Sequence, residues 1–208
     1  MIIFMSDILC VTNRTLCKDD FLSRIEHIAK AAPAGIILRE KDLSEAEYQS
    51  LAADVMKICE THKIPCILHS FINAAMESNS QAIHLPLPIL RTLSPAQKAH
   101  FCTIGASCHS VLEAPEAEQL GATYLIAGHI FPTDCKRGVP CRGTDFLQEV
   151  CKSVSIPVYA IGGIDSANIV SVRSAGAKGG CIMSGFMGCS DPKSYMKQFE
   201  KAGERDAI

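Results

Sequence analysis

Runs of basic residues are missing from this sequence. Lys and Arg total 20 against 22 Asp and Glu, for a formal net charge of −2. A chain without clustered positive charge presents no electrostatic footprint to nucleic acid or to an anionic membrane surface. No stretch approaches the roughly 20 apolar residues that a membrane helix needs. The opening MIIFMSDILCVTN has a short apolar run but no basic segment before it, and Asp7 interrupts it before a signal-peptide core forms. Metal-site spacing is absent as well: there is no Cys-x-x-Cys pair and no Cys/His cluster, although the chain carries 11 cysteines. An odd number of thiols scattered through apparent strands and helices reads as reduced residues packed like small hydrophobes, in a cytosolic compartment.

What is present is ordinary globular composition, 48% hydrophobic and 20% charged over 208 residues. No linker, low-complexity tract or shift in composition divides the chain, so a single domain over residues 1–208 is expected. Short β-branched or apolar runs alternate from end to end with longer stretches of helical period. Strands are expected over 7–13, 35–40, 66–70, 82–86, 103–107, 124–131, 158–164 and 180–184, with helices over 20–32, 44–62, 72–78, 94–99, 111–120, 144–152, 166–175 and 192–201. Ser44 stands three residues before Glu47 as in a capping box, while Ser94-Pro95 and Asp191-Pro192 place a cap before a first-turn proline. Runs such as GIILRE and VYAIGGI stay apolar up to a polar or glycine end, as parallel strands covered on both faces do. Eight such units favour a (β/α)₈ barrel of TIM type; a doubly wound open sheet is the alternative, without a G-x-G-x-x-G after the first strand to support it.

Barrel chemistry sits at the C-terminal ends of the strands. Those ends read Arg39-Glu40-Lys41, His129 followed by the loop PTDCKRGVPCRG with Thr133 and Lys136, Gly162-Gly163, and Ser184-Gly185. Glycines let backbone N–H groups approach a phosphate, and the last two loops are the usual phosphate site of this fold; tight strand-to-helix turns are the other reading of the same glycines. Arg39, Lys41 and Lys136 supply cationic contacts to a second anionic group. His129, in YLIAGHIF, is the candidate proton carrier, since imidazole takes and returns a proton near neutral pH. A core histidine bonded to a carbonyl is the competing reading, and His69, His84 and His109 also lie near strand ends. Cys135 beside Lys136 is expected to pack within the loop rather than to react.

The segments ILREK, IGASCHSVLEAPEAEQLGATYLIAGHIFPTDCKRG, PVYAIGGI and AGAKGGCIMSG resemble the thiamine phosphate synthase superfamily over nearly the whole chain. GHIFPTDCKRG, with histidine where the synthases usually carry proline, resembles its TenI branch, the thiazole tautomerases. The resemblance implies a TIM barrel, often a homodimer, acting on a carboxythiazole phosphate. It carries the catalytic histidine onto His129 and phosphate contacts onto Gly162, Gly163, Ser184 and Gly185; His109 is the weaker catalytic candidate.

Two activities follow from that resemblance. A synthase joins hydroxymethylpyrimidine diphosphate to thiazole phosphate and holds the diphosphate through Mg²⁺, a hard cation that takes carboxylate oxygens. The family's synthases supply these from an Asn-Asp pair after strand three and an acidic residue after strand four; here the corresponding places read His69-Ser70 and Pro86-Leu87-Pro88, and between Lys63 and Leu112 the only carboxylate is Glu77. A tautomerase moves a proton on the thiazole ring with no metal and no cofactor. The expectation is therefore a metal-independent isomerase with His129 as its acid and base, the synthase and a non-catalytic thiazole phosphate-binding regulator being the alternatives.

Overall fold

The computed structural model describes residues 7–204, so the reading of the first six residues as lacking a leader falls outside the described part of the chain. Eight parallel strands close on themselves: β1 (Ile8–Val11), β2 (Gly35–Leu38), β3 (Cys66–His69), β4 (Ala82–Pro86), β5 (Thr103–Cys108), β6 (Tyr124–Gly128), β7 (Val158–Ile161) and β8 (Gly179–Ile182), in sequence order and with β1 paired to β8. This is the (β/α)₈ barrel expected from the alternation of apolar runs.

Each strand splits its side chains between two apolar environments, which is why the runs are nearly continuous in hydrophobicity. Leu9, Val11, Ile37, Ile67, Ile126 and Cys181 fill the barrel interior together with Tyr124 and Tyr159. Ile8, Cys10, Ile36, Leu38, Leu68 and Leu125 face outward onto the helices. Burying one such side chain is worth about 1.5–3 kcal/mol, so both faces of every strand help close the barrel. Gly105 on β5 marks a tight interior point: a Cβ there would stand 2.2 Å from Tyr124 Cζ and 2.4 Å from His84 Nδ1.

The outer layer comprises α1 (Phe21–Lys30), α2 (Glu45–Thr61), α3 (Ile72–Glu77), α4 (Leu87–Leu90), α5 (Pro95–His100), α6 (Glu113–Gln119), α7 (Gly143–Ser153), α8 (Ile169–Ser174), α9 (Ser184–Gly188) and α10 (Pro192–Glu204). The punctuation seen in the sequence is realised. Ser44 and Glu47 form a complete capping box on α2, and Ser94 and Gln97 form another on α5. The Asp191 carboxylate accepts from the Lys193 and Ser194 N–H groups at the start of α10.

Differences from the sequence reading concentrate where strands reach the mouth. Expected strands over 124–131 and 158–164 stop at Gly128 and Ile161, because Gly162 and Gly163 take φ values of +95° and +66° and turn the chain out of the ladder. The helix expected over 166–175 begins only at Ile169, since the Asp165 carboxylate accepts from the Ala167 and Asn168 N–H groups and holds those residues in a turn. Short helices α4 and α9 and two single 3₁₀ turns, Arg14–Leu16 and Asp134–Lys136, were not expected; each is too short to display a period.

Candidate functional site

A cavity of about 410 Å³ opens at the C-terminal ends of the strands, and all eight strands help close its walls with residues at or just past their ends. From β3 and β4 come His69 and His84, with Pro86 beside them. The barrel thus gathers one cavity from positions as distant in sequence as Val11 and Ser184.

One wall is cationic. Arg39, Lys41 and Lys136 all line the cavity. Glu40 lies between the first two but is buried and turned away from them: its carboxylate accepts from Thr12 Oγ1 at 2.6 Å, from the Arg14 N–H at 3.0 Å and from the Arg14 guanidinium at 3.2 Å. Arg14 is further clamped by Asp42 at 2.6 and 2.7 Å. Thr12 Oγ1 in turn accepts from the Arg39 N–H at 2.9 Å, fixing the backbone that presents Arg39. Among the described residues no carboxylate stands within ion-pair distance of Arg39, Lys41 or Lys136. Burial, and then the positive charges of Arg39 and Lys136, hold the Lys41 ammonium below its ordinary pKa.

The floor is uncharged but polar. His69 and His84 stack with ring centroids 5.7 Å apart. Burial first, and then neighbouring His84, Arg39 and Lys41, push His69 down to about 2; burial and Lys41 push His84 down to about 3. Both are therefore neutral at physiological pH. His69 Nδ1 pairs with Ser70 Oγ at 2.8 Å, and His84 links Tyr124 OH at 3.1 Å to Ser107 Oγ at 2.9 Å. Ser107 lines the cavity, so this buried relay ends in a hydroxyl at its surface.

Another part of the lining is built from Gly162, Gly163 and Ser184. A Cβ on Gly162 would stand 2.3 Å from His129 Cβ, and one on Gly163 would stand 2.5 Å from the Pro132 carbonyl. The two glycines thus serve close packing of β7's end against the chain leaving β6, in addition to leaving this wall free of side chains. Gly185 does not line the cavity; its missing Cβ clears the Tyr195 hydroxyl, which would otherwise lie at 2.0 Å. Its lack of a side chain serves the seating of α10.

His129 does line the cavity, but its Nε2 is 3.2 Å from the Val139 carbonyl. A carbonyl only accepts, so Nε2 carries the proton and the ring ties down the loop over 132–143. That loop is also held by Arg142 N–H to the His129 carbonyl and Gly143 N–H to the Ile130 carbonyl, each at 3.0 Å. It brings Thr133, Cys135 and Lys136 to the rim. Cys135, expected to pack within the loop, is instead exposed. His109 Nδ1 donates to the Gly128 carbonyl at 3.0 Å and its own N–H donates to Glu113, so it supports the end of β6.

Sequence reasoning placed Arg39, Lys41, Thr133, Lys136, Gly162, Gly163 and Ser184 correctly at one mouth. It missed Thr12, Ser107 and the positioning work of Glu40. The signal for Thr12 was there: a single polar residue ends an apolar strand run whose end must face the mouth. The Mg²⁺ that accompanies a synthase reading does not fit this donor set, because no Asp or Glu lines the cavity and no group of three or more His, Cys, Asp or Glu among the described residues can hold a metal ion.

The family model described as thiamine monophosphate synthase matches residues 8–186. The thiamine-phosphate synthase of Clostridium acetobutylicum is 35% identical over 181 residues, covering 85% of each chain. That of Pyrococcus abyssi is 33% identical over 196 residues, 92% of this chain and 91% of its own. Among solved structures, thiamine phosphate pyrophosphorylase from Pyrococcus furiosus superposes with a TM-score of 0.81 at 26% identity, covering 96% of both chains. These relatives correct the expected isomerase. The tautomerase reading leaned on one loop motif and on absent carboxylates, whereas the likeness to proteins named synthases runs through the whole barrel. In this structure His129 lines the cavity and its Nε2 also holds the loop through the Val139 carbonyl.

Proposed function

The chain belongs to the thiamine monophosphate synthase family, and on that premise we propose that it is a thiamine phosphate synthase, joining hydroxymethylpyrimidine diphosphate to thiazole phosphate with release of pyrophosphate. One observation carries the reading. A single cavity has two anion-directed groups in its lining, the glycines with Ser184 and three cations without carboxylate partners. A reaction that brings a monophosphate and a diphosphate together needs both.

In this reading the thiazole phosphate sits against Gly162, Gly163 and Ser184, where backbone N–H groups and a hydroxyl meet its oxygens. The diphosphate lies along Arg39, Lys41 and Lys136. As the bond forms between the thiazole ring nitrogen and the pyrimidine methylene carbon, the carbon–oxygen bond to the diphosphate breaks and its electron pair stays on the leaving oxygen. Fixed cations stabilise that developing charge in a partly closed cavity, where they act more strongly than in water. Ser107, oriented by neutral His84, offers a hydrogen bond to the pyrimidine, and Thr133 one at the rim. His129 acts through the loop, as a positioning residue. Incubation of the purified chain with both substrates should yield thiamine phosphate by chromatography; no product above a protein-free control would overturn the proposal.

A homodimer belongs to the same proposal on the strength of the family resemblance, and light scattering on a sizing column checks it. A cytosolic setting is supported by 11 unpaired cysteines, four of them buried. No helix among the described residues is long and apolar enough to cross a membrane.

A further inference from the structure

Family membership brings with it a metal-assisted diphosphate site, and the cavity disagrees with that part of the inheritance. At the places where the resemblance puts metal-binding side chains after the third and fourth strands, this chain has His69, Ser70 and Pro86. Two of these face the cavity, and neither brings a negative charge.

Glu40, the carboxylate that stands between Arg39 and Lys41 in sequence, has no capacity to spare. Thr12, the Arg14 backbone and the Arg14 guanidinium already occupy its oxygens in a buried setting. It cannot serve an ion in the cavity without abandoning those bonds. Meanwhile Arg39, Lys41 and Lys136 form a group of like charges close enough to depress the Lys41 ammonium. Three unneutralised cations repel a divalent cation and attract an anion; a bound Mg²⁺ would add two more positive charges to the same wall. His69 and His84 beneath them stay neutral and contribute no compensating charge.

We propose that this chain binds its diphosphate without a divalent metal ion, the charge being balanced directly by Arg39, Lys41 and Lys136 across a carboxylate-free cavity. This rests on the synthase reading for the identity of the substrate, while the binding mode itself is open to measurement with a simpler anion. Three side-chain cations can balance most of the charge of a diphosphate, and the Arg39 fork suits two phosphate oxygens at once. A metal-bridged site would instead need hard oxygen donors from the protein.

The probe is inorganic pyrophosphate, titrated calorimetrically into the full chain in EDTA and, separately, in Mg²⁺. Binding in EDTA should be at least as tight as in Mg²⁺, and it should weaken steeply with salt as expected for direct ion contacts. Lys41→Gln and Lys136→Gln, both at exposed positions, should each weaken it by roughly tenfold, the loss of one charge-assisted contact. Circular dichroism melts unchanged from the parent would show that the variants fold. Pyrophosphate binding that appears only with Mg²⁺ overturns the inference, as does EDTA binding indifferent to both lysine substitutions. Product assays separate this from the synthase reading: product that requires Mg²⁺, alongside Mg²⁺-dependent binding, sinks the inference and leaves the synthase standing. Tight binding in EDTA with no product in either buffer does the reverse.

Discussion

Glu40 accepts a hydrogen bond from Thr12 Oγ1 at 2.6 Å, and the same hydroxyl accepts from the Arg39 N–H. This contact ties the end of β1 to the end of β2, and it lets a carboxylate sit between two cations in sequence without neutralising either. Thr12→Val keeps the shape but strips both bonds, leaving a buried carboxylate oxygen and a backbone donor short of partners. It should cost about 1–3 kcal/mol of stability and weaken pyrophosphate binding through a displaced Arg39. Urea unfolding and calorimetry on one preparation check the pair of effects; a variant as stable as the parent would show that the bond does not matter.

Gly162→Ala should damage both stability and function. The residue adopts φ +95°, and the added Cβ would stand 2.3 Å from His129 Cβ and 2.9 Å from its Cα, a clash with backbone and the root of a side chain rather than with a flexible tip. A strained backbone and forced displacement together should cost about 2–4 kcal/mol, with KM for thiazole phosphate rising because the anion wall moves. Gly188→Ala is the comparison: nothing lies within 4 Å of its would-be Cβ, so it should melt near the parent temperature.

Acid lability follows from the stacked histidines. Their folded pKa values, about 2 for His69 and about 3 for His84, lie below the roughly 6.5 of an unfolded histidine. The unfolded chain therefore binds more protons than the native one below about pH 6.5, and stability falls as pH falls across the window from about 6.5 to about 3. Each histidine contributes a slope of up to about 1.4 kcal/mol per pH unit in that window. Denaturant unfolding at a series of pH values should show this loss, and His69→Gln should flatten it; equal slopes in parent and variant would refute the assignment.

His129→Ala should loosen the loop over 132–143 by removing the bond to the Val139 carbonyl. The expected cost is about 1 kcal/mol, seen as faster proteolysis in the loop and a raised KM for the diphosphate substrate, with kcat changed less. A collapse of kcat with an intact loop would instead make His129 a catalytic residue.

The sequence disclosed the barrel because strands buried on two faces and helices buried on one write different periods into the chain, and because caps at Ser44, Ser94 and Asp191 are local. It disclosed the mouth for a related reason: once the strands are located, Arg39, Lys41, Lys136 and Gly162 must lie at their C-terminal ends. The internal bonds of the site were out of reach. Nothing local says that Glu40 turns towards Thr12, 28 positions earlier, or that His84 reaches Ser107. The same holds for His129, whose Nε2 partner is a carbonyl ten residues later that no local pattern announces.

The synthase assignment is tested most directly by phosphorus NMR on the full chain with both phosphorylated substrates present, following the fate of the diphosphate. The account predicts that free pyrophosphate appears in step with thiamine phosphate, one for one, only when thiazole phosphate is supplied, and in EDTA as well as in Mg²⁺. A diphosphate signal that persists unchanged with both substrates in either buffer would contradict it.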